Sequence, residues 1–372
     1  MTKRIAFVAA NQAVPWGGSE ELWGQTALQM AKAGYCVGVN VKGWQPSVPQ
    51  IDTLVKAGCH VEYRWYNKTP FHLLQFKLYK QQTYYRWLDR FKPDFVVLSQ
   101  ASNIDGIGWM EACIKRQIPF APIAHAAAPN YWPADKLAER LSVAYNQSAA
   151  CFFVAQRNID LTIKQIAADL PHAQVIRNPF KVSYDAAPPW PQQKELLKLA
   201  CVGRLDPFSK GQDLLFEVLS AEKWRQRPLQ VTLFGKGSSQ TSLARLKDLW
   251  KLEQVQFGSY VDDVESIWAD HHGLVLPSRY EGLPLTIVEA MLCARPCIVT
   301  DVAGNTELLE DNVHGFVATA PHVKCLDDAL ERAWQQRDRW YDMGQAAAVK
   351  VRKAVPRDPV ADFVSKLESF LN

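Results

Sequence analysis

Among its eight cysteines, the 372-residue chain has no Cys-x-x-Cys unit. Cys36, Cys59, Cys113, Cys151, Cys201, Cys293, Cys297 and Cys325 lie mostly inside apolar runs. A disulfide framework and a cysteine zinc site are both disfavoured, and reduced core thiols in a cytoplasmic protein are expected. Cys293 and Cys297 lie near His271 and His272, but the intervening residues are apolar and helix-to-strand in pattern, so no metal site is expected there. Long hydrophobic runs are missing too, since none approaches the ~20 residues that span a bilayer. Ile5–Ala10, behind Lys3 and Arg4, is too short for the apolar stretch of a secretory leader and reads as a first strand. Neither sign of charge dominates, with 42 Lys and Arg against 38 Asp and Glu. A net +4 and a pI of about 8.5 argue against a nucleic-acid partner and permit only loose attraction to an anionic membrane face. There is no Gly-x-Gly-x-x-Gly fingerprint, no serine, histidine and acid arrangement for a hydrolytic triad, no internal repeat and no low-complexity tract.

What is present is an ordinary globular composition, 48% hydrophobic and 22% charged, over a length that favours two cores. Thirteen tryptophans are many, and aromatic rings both pack cores and stack on sugars. Short β-rich runs at Ile5–Ala10, Val37–Val41, His60–Tyr63, Phe95–Ser99, Phe120–Ile123 and Cys151–Val154 alternate with helix-length segments such as Leu22–Ala33. That alternation predicts βαβ units and a parallel, doubly wound sheet. The proline-rich stretch Asp185–Gln193 interrupts it, and it restarts at Leu199–Val202, Val231–Phe234, Val255–Phe257, Gly273–Leu276, Pro296–Thr300 and Phe316–Ala318. The expected organisation is an N-terminal domain over 1–184, completed by a helix over 357–372, and a second domain over 185–356. Two Rossmann-like α/β units would face each other across a cleft, with ligands outside the carboxyl ends of the strands. In the tail, Val360, Phe363, Val364, Leu367, Phe370 and Leu371 fall on one helical face. Between Tyr63 and Lys92, aromatic and basic residues are dense. A helix laying its aromatic side on the sheet fits that composition, and so does an acceptor- or membrane-facing surface.

Several stretches carry residues suited to chemistry. Pro15-Trp16-Gly17-Gly18-Ser19-Glu20 follows the first strand and opens the first helix. Its glycines let the backbone approach a phosphate at a helix N-terminus, though a strand-to-helix turn also needs glycine for its own sake. Ser19 reads as the N-cap. Glu20 and Glu21 suit the helix dipole but would repel a diphosphate, so their side chains must turn away or serve another group. In Val202-Gly203-Arg204-Leu205-Asp206-Pro207-Phe208-Ser209-Lys210, a strand ends in glycine. Arg204, a planar fork, and Lys210, a point charge, could then converge on a diphosphate. Phe234-Gly235-Lys236-Gly237 could line the base or phosphate side, and Phe257-Gly258-Ser259-Tyr260-Val261 could hold a base through backbone contacts. Asp262-Asp263 reads as a helix cap more than as a metal pair. His125 ends an apolar strand, where it could bond a sugar hydroxyl or serve structure alone.

The stretch that organises the rest is Ser278-Arg279-Tyr280-Glu281-Gly282-Leu283-Pro284 and the helix after it. Gly282 permits a tight turn, and Pro284 suits a first helical position. Glu289 lies about five residues into the helix, roughly 7–8 Å along its axis at ~1.5 Å per residue. Two carboxylates along a helix start that favours phosphate match the layout of a nucleotide-sugar. Two solvated glutamates on an amphipathic helix would show the same spacing.

Taken in order, Gly17-Gly18, His125, Arg204 with Lys210, Glu281-x7-Glu289 and the C-terminal helix resemble the family-4 retaining glycosyltransferases of the GT-B fold. The likeness is most specific from Leu199 to Val317, where Val-Gly-Arg-Leu-Asp, Phe-Gly-Lys-Gly, Ser-Arg-Tyr-Glu-Gly-Leu-Pro-Leu-Thr-Ile-Val-Glu-Ala-Met and Thr-Asp-Val-Ala-Gly-Asn-Thr-Glu follow in the family's order. The N-terminal half matches only at Gly17-Gly18 and, more loosely, at His125. The resemblance implies that Glu281 contacts the donor sugar and Glu289 the ribose hydroxyls. Arg204 and Lys210 would neutralise the departing diphosphate, the Gly18 amide would approach it, and His125 would lie by the donor sugar. The implied donor-binding set is Gly17, Gly18, Gly203, Arg204, Lys210, Gly235, Tyr260, Val261, Glu281, Gly282, Leu283, Pro284 and Glu289. The implied catalytic set is Glu281, His125, Arg204 and Lys210.

The reaction so implied retains anomeric configuration and uses no metal and no cofactor beyond the donor, a UDP- or GDP-sugar. The acceptor would be a glycan or a lipid-linked glycan, met in the cytoplasm with peripheral contact at the inner membrane face. A GT-B phosphorylase or a nucleotide-sugar epimerase is the alternative, and a non-catalytic carbohydrate-binding protein a further one. Two departures stand out. Glu20-Glu21 follow the glycines where many relatives carry small or neutral residues, and Asn178-Pro179 replaces a frequent Asn-Gly.

Overall fold

The computed structural model describes residues 2–12, 14–65, 81–192, 195–258 and 261–371. Two parallel sheets organise it. The first comprises β1 (Arg4–Ala9), β2 (Cys36–Lys42), β3 (His60–Arg64), β4 (Phe95–Gln100), β5 (Phe120–Ala124), β6 (Cys151–Phe153) and β7 (Ala173–Val175), in the order β3-β2-β1-β4-β5-β6-β7. The second comprises β8 (Leu197–Val202), β9 (Leu229–Phe234), β10 (Val255–Phe257), β11 (Gly273–Leu276), β12 (Cys297–Thr300) and β13 (Gly315–Ala318), in the order β10-β9-β8-β11-β12-β13. The central strands β1, β4 and β11 are almost wholly buried on both faces, as a sheet covered by helices on each side requires. Only β7 escapes the sequence pattern. It is three residues long, Ala-Gln-Val, lies at the sheet edge and pairs with β6 alone.

The strand order reverses between β1 and β4 in one sheet and between β8 and β11 in the other. Loops leaving the carboxyl ends of such neighbouring strands diverge to opposite sides and leave a crevice where ligands bind. The Arg204–Lys210 turn leaves β8 and the Ser278–Pro284 loop leaves β11. Two segments some seventy residues apart in sequence are therefore neighbours, because their strands pair directly.

The chain divides into two compact units, one formed by Met1–Pro179 with Asp358–Asn372 and the other by Phe180–Arg357. The terminal helix, Pro359–Leu371, buries Val360, Phe363, Val364, Leu367 and Leu371 in the core of the first unit. There Phe363 meets Phe152 edge-on at 5.2 Å and Phe370 stacks on Phe95 at 5.3 Å. The break falls after Pro179, not after Tyr184, and the proline-rich stretch is no free linker. Buried Arg295 donates to the carbonyls of Pro188 and Pro189, and its guanidinium lies 5.0 Å from the Trp190 ring. Proline cannot donate backbone hydrogen bonds, but its carbonyl still accepts them, so an arginine can strap such a segment down.

In the aromatic and basic stretch that begins at Tyr63, Gln81–Phe91 is helical and places Trp87, Leu88 and Phe91 in the core. Tyr63 and Trp65 are exposed, the latter by 51%. Tyr66–Lys80 lie outside the described residues.

Candidate active site

Lys210 and Glu281, both sequence-predicted, come into contact in the second unit. Lys210 Nζ lies 2.5 Å from Glu281 Oε1, with the side chains 15% and 8% exposed. Three features of the local backbone put them there. The methylenes of Lys210 run beside Gly203, about 3.5 Å from where a Cβ would stand, an ordinary packing distance. Gly211 ends the Pro207–Lys210 turn at φ +65, and a Cβ on it would fall 2.0 Å from the Pro277 carbonyl oxygen. The amides of Arg279 and Tyr280 both donate to the Ser209 carbonyl, at 2.9 and 3.3 Å.

Arg279 locks the two loops together. Its guanidinium grips both oxygens of Asp213, at 2.6 and 2.7 Å, and also the Pro207 carbonyl at 2.7 Å. A planar fork on a carboxylate fixes direction as well as distance. Ser278 Oγ donates to Glu281 Oε1 at 2.7 Å, so that one oxygen is shared by a cation and a hydroxyl. From the far side, the Gly304 amide donates to the Gly282 carbonyl at 2.7 Å.

The remaining predicted residues of this unit take varied places. Arg204 is half exposed at 53%, and its nearest acid is Asp206 at 3.9 Å, so it is not part of the Lys210–Glu281 contact. Gly235, at φ +141, backs onto Gly203, whose carbonyl oxygen would be 2.0 Å from an added Cβ. Val261 is half-buried, and Tyr260 lies outside the described residues. Leu283 is buried. Pro284 precedes the helix Leu285–Leu292 at ψ 126, as its cap and not its first residue, because the backbone is still extended there.

Glu289 is buried on that helix. Its Oε1 accepts the Lys181 amide at 3.0 Å, and burial raises its carboxyl above the ordinary range. Asp263 caps the helix Val264–Asp270 through the Glu265 amide. His271 and His272 are engaged by backbone, through the Ile267 carbonyl and the Lys198 amide.

In the first unit, Gly17 is the extended cap of the helix Gly18–Lys32, and Ser19, expected as the cap, is already helical. Its hydroxyl donates instead to Glu20 Oε2 at 2.6 Å, and Asn11 Nδ2 donates to Glu20 Oε1 at 2.8 Å. Glu20 has turned inward, and burial raises its pKa. Glu21 instead accepts from the Trp16 indole at 3.1 Å.

His125 follows β5 and is buried. Its Nε2 lies 3.3 Å from Ser99 Oγ, and Nδ1 has no hydrogen-bond partner among the described residues. Burial pushes the ring down to about 4 from 6.5, so it is neutral at pH 7. A lowered folded pKa means that between pH 6.5 and 4 the unfolded chain binds more protons, and stability falls as pH drops through that window. At ~1.4 kcal/mol per unit, about 3 kcal/mol is at stake. Wild type should therefore lose this much more than His125→Gln between pH 7 and 4, read by urea denaturation. Parallel losses would contradict the burial.

Part of the chain matches a known family. Residues 197–336 match the glycosyl transferases group 1 family. That domain holds Arg204, Lys210, Glu281 and Glu289 alike. Over 180 residues the chain is 27% identical to the glycogen synthase of Rhodopirellula baltica, covering 44% of this chain and 35% of that protein. It spans 18% to 35% of the length of the first curated relatives it matches. In fold, it resembles Anabaena Alr3699/HepE in complex with UDP and glucose, with a TM-score of 0.77 and 18% identity over 99% of this chain and 100% of that one. It also resembles Staphylococcus aureus TarM in complex with fondaparinux, α-GlcNAc-glycerol and UDP, with a TM-score of 0.74 and 13% identity over the whole of both chains. The fold is GT-B.

Within the matched segment, sequence reasoning misses the residues that hold the Lys210 and Glu281 loops in place: Ser278, Arg279, Asp213 and Gly304. Arg279 sits two residues before Glu281, and the segment Thr300–Glu307 stands out in the sequence only for its order among the motifs. A charged residue flanking a candidate acid, with an opposite charge after the preceding cationic turn, is the available signal for Arg279 and Asp213.

Proposed function

We propose that this protein is a glycosyltransferase that moves a sugar from a nucleoside-diphosphate sugar, UDP- or GDP-linked, to a glycan or lipid-linked acceptor, with retention and without a metal. One observation carries the reading: a lysine and a glutamate in contact at the switch point of a group 1 glycosyltransferase domain. Charge develops on the diphosphate as it leaves, and a preorganised cation stabilises that state more than the bound substrate. Lys210 supplies this cation, with Arg204 exposed and able to swing onto the same phosphates. Glu281 would then accept from the sugar hydroxyls and Glu289 from the ribose. The complexes of Alr3699/HepE with UDP and glucose and of TarM with UDP support a uridine donor and a glycan acceptor. His125 would serve as a neutral hydrogen-bonding group, and Gly17 and Gly18 as backbone donors to a phosphate.

The test is incubation with UDP- and GDP-hexoses and a glycan extract, following nucleoside diphosphate release and the anomeric proton of the product. Release that depends on the extract, with the donor's configuration kept, is expected. A requirement for inorganic phosphate with release of a sugar phosphate would instead identify a phosphorylase. Exposed Tyr63 and Trp65 at the end of β3 suit peripheral contact with the inner membrane face through their rings, while Arg64 between them is buried. Sedimentation with anionic vesicles should be lost in a Tyr63→Ser, Trp65→Ser variant. Absence of sedimentation in wild type would remove membrane contact from the proposal.

A further inference from the structure

The two oxygens of Glu281 differ in their surroundings. Oε1 accepts from both Lys210 Nζ and Ser278 Oγ, whereas Oε2 takes no hydrogen bond among the described residues. Ser278 is fully buried, and so are the residues that hold it. Thr300 Oγ1 donates to the Ser278 carbonyl at 2.5 Å, and Asn305 Nδ2 donates to the Thr300 carbonyl at 3.0 Å. A serine hydroxyl has one proton to give, and here it is given to Oε1.

From this we infer that Ser278 is a positioning residue for Glu281, anchoring Oε1 so that Oε2 alone meets the donor sugar. The inference rests on the donor-site reading above. Its physical ground is the fate of the carboxylate once Lys210 is drawn onto a diphosphate. Without Ser278, a buried carboxylate would lose its partner on Oε1 and be free to rotate about its last bond, and an unpaired buried acceptor is expensive. With Ser278, the orientation survives the departure of the lysine. Through the chain Asn305–Thr300–Ser278–Glu281, the Thr300–Glu307 segment fixes the backbone on which the carboxylate hangs. Ser278 itself touches no substrate and acts only through Glu281.

Calorimetry of UDP, GDP, UDP-glucose and GDP-mannose tests this, because it separates the sugar's share of affinity from that of the nucleotide. In Ser278→Ala, the affinity for the bare nucleoside diphosphate should stay within about twofold. The tightening contributed by the hexose should fall about tenfold, the worth of one charge-assisted hydrogen bond. A merely structural defect would weaken both ligands in parallel, and that result, or an unchanged hexose contribution, overturns the inference. So does a wild type that binds the nucleotide but gains nothing from the hexose. If Ser278→Ala does not fold by circular dichroism, Thr300→Val removes the bond to the Ser278 carbonyl at equal side-chain volume and should give the same split in smaller measure. Failure of wild type to bind either nucleoside diphosphate would instead bring down the donor-site reading itself.

Discussion

Lys210→Ala is expected to slow sugar transfer by roughly 10²–10³-fold, the usual effect of removing one preorganised charge-stabilising group. Lys210 is not a loose surface cation. Its stem lies over Gly203, its turn is closed by Gly211, and its ammonium is 2.5 Å from Glu281 Oε1. With the stem fixed, only the ammonium has to shift from Glu281 towards the leaving phosphate when charge appears there. The same burial predicts a second effect, because removing one member of a buried pair leaves its partner uncompensated and costs about 3–5 kcal/mol. The two effects separate in Lys210→Met combined with Glu281→Gln. That double variant removes both charges, should recover most of the stability lost in Lys210→Ala, and should stay inactive. Steady-state transfer and urea denaturation on all three proteins check this. Activity in the double variant near that of wild type would show that neither group acts on the reacting sugar or phosphate.

Arg295→Ala should cost at least about 4 kcal/mol of stability. The side chain is 1% exposed and reaches no carboxylate among the described residues. Instead Nε donates to the carbonyls of Trp268 and His271 at 2.8 and 2.9 Å, Nη1 to that of Cys293 at 2.8 Å, and Nη2 to that of Pro189 at 2.6 Å. Burial pushes the guanidinium down to about 10, which leaves it charged at neutral pH. Alanine would strand several buried acceptors at once, each worth about 1–3 kcal/mol unless water reaches it, and would leave a cavity under Trp190. Lysine offers no fork and should rescue little. Urea midpoints report the loss, and proteolysis should cut first within Asp185–Pro191 as that strap is released. A loss under about 1 kcal/mol would mean that the proline-rich stretch is held by other contacts.

Much of this is legible in the sequence because it rests on periodicity and on strand-end motifs. Apolar runs such as Phe95–Ser99 and Gly273–Leu276 announce buried parallel strands, and glycine after Val202 and Phe234 announces loops at their ends. The contact between Lys210 and Glu281 can be anticipated as roles but not as geometry, since it depends on β8 pairing with β11, a long-range register that no local pattern encodes. Glu20 illustrates a different blind spot. An acidic residue beside a glycine turn reads as a hazard to phosphate, yet Asn11 and Ser19 draw its carboxylate inward, and those partners are recognisable only once the loop is folded. Ser278 draws no notice in the sequence because a serine near an acid is common, and the bonds that tie it down come from Thr300 and Asn305, more than twenty residues away.

The proposed transfer depends on a nucleoside-diphosphate site built on Lys210 in the second unit. Titrating UDP and GDP into wild type and Lys210→Ala by isothermal calorimetry tests it most directly. One nucleoside diphosphate should bind wild type at one equivalent per chain, and at least tenfold more weakly to the variant. Equal affinity in both proteins, or no binding of either nucleotide to wild type, would contradict that site.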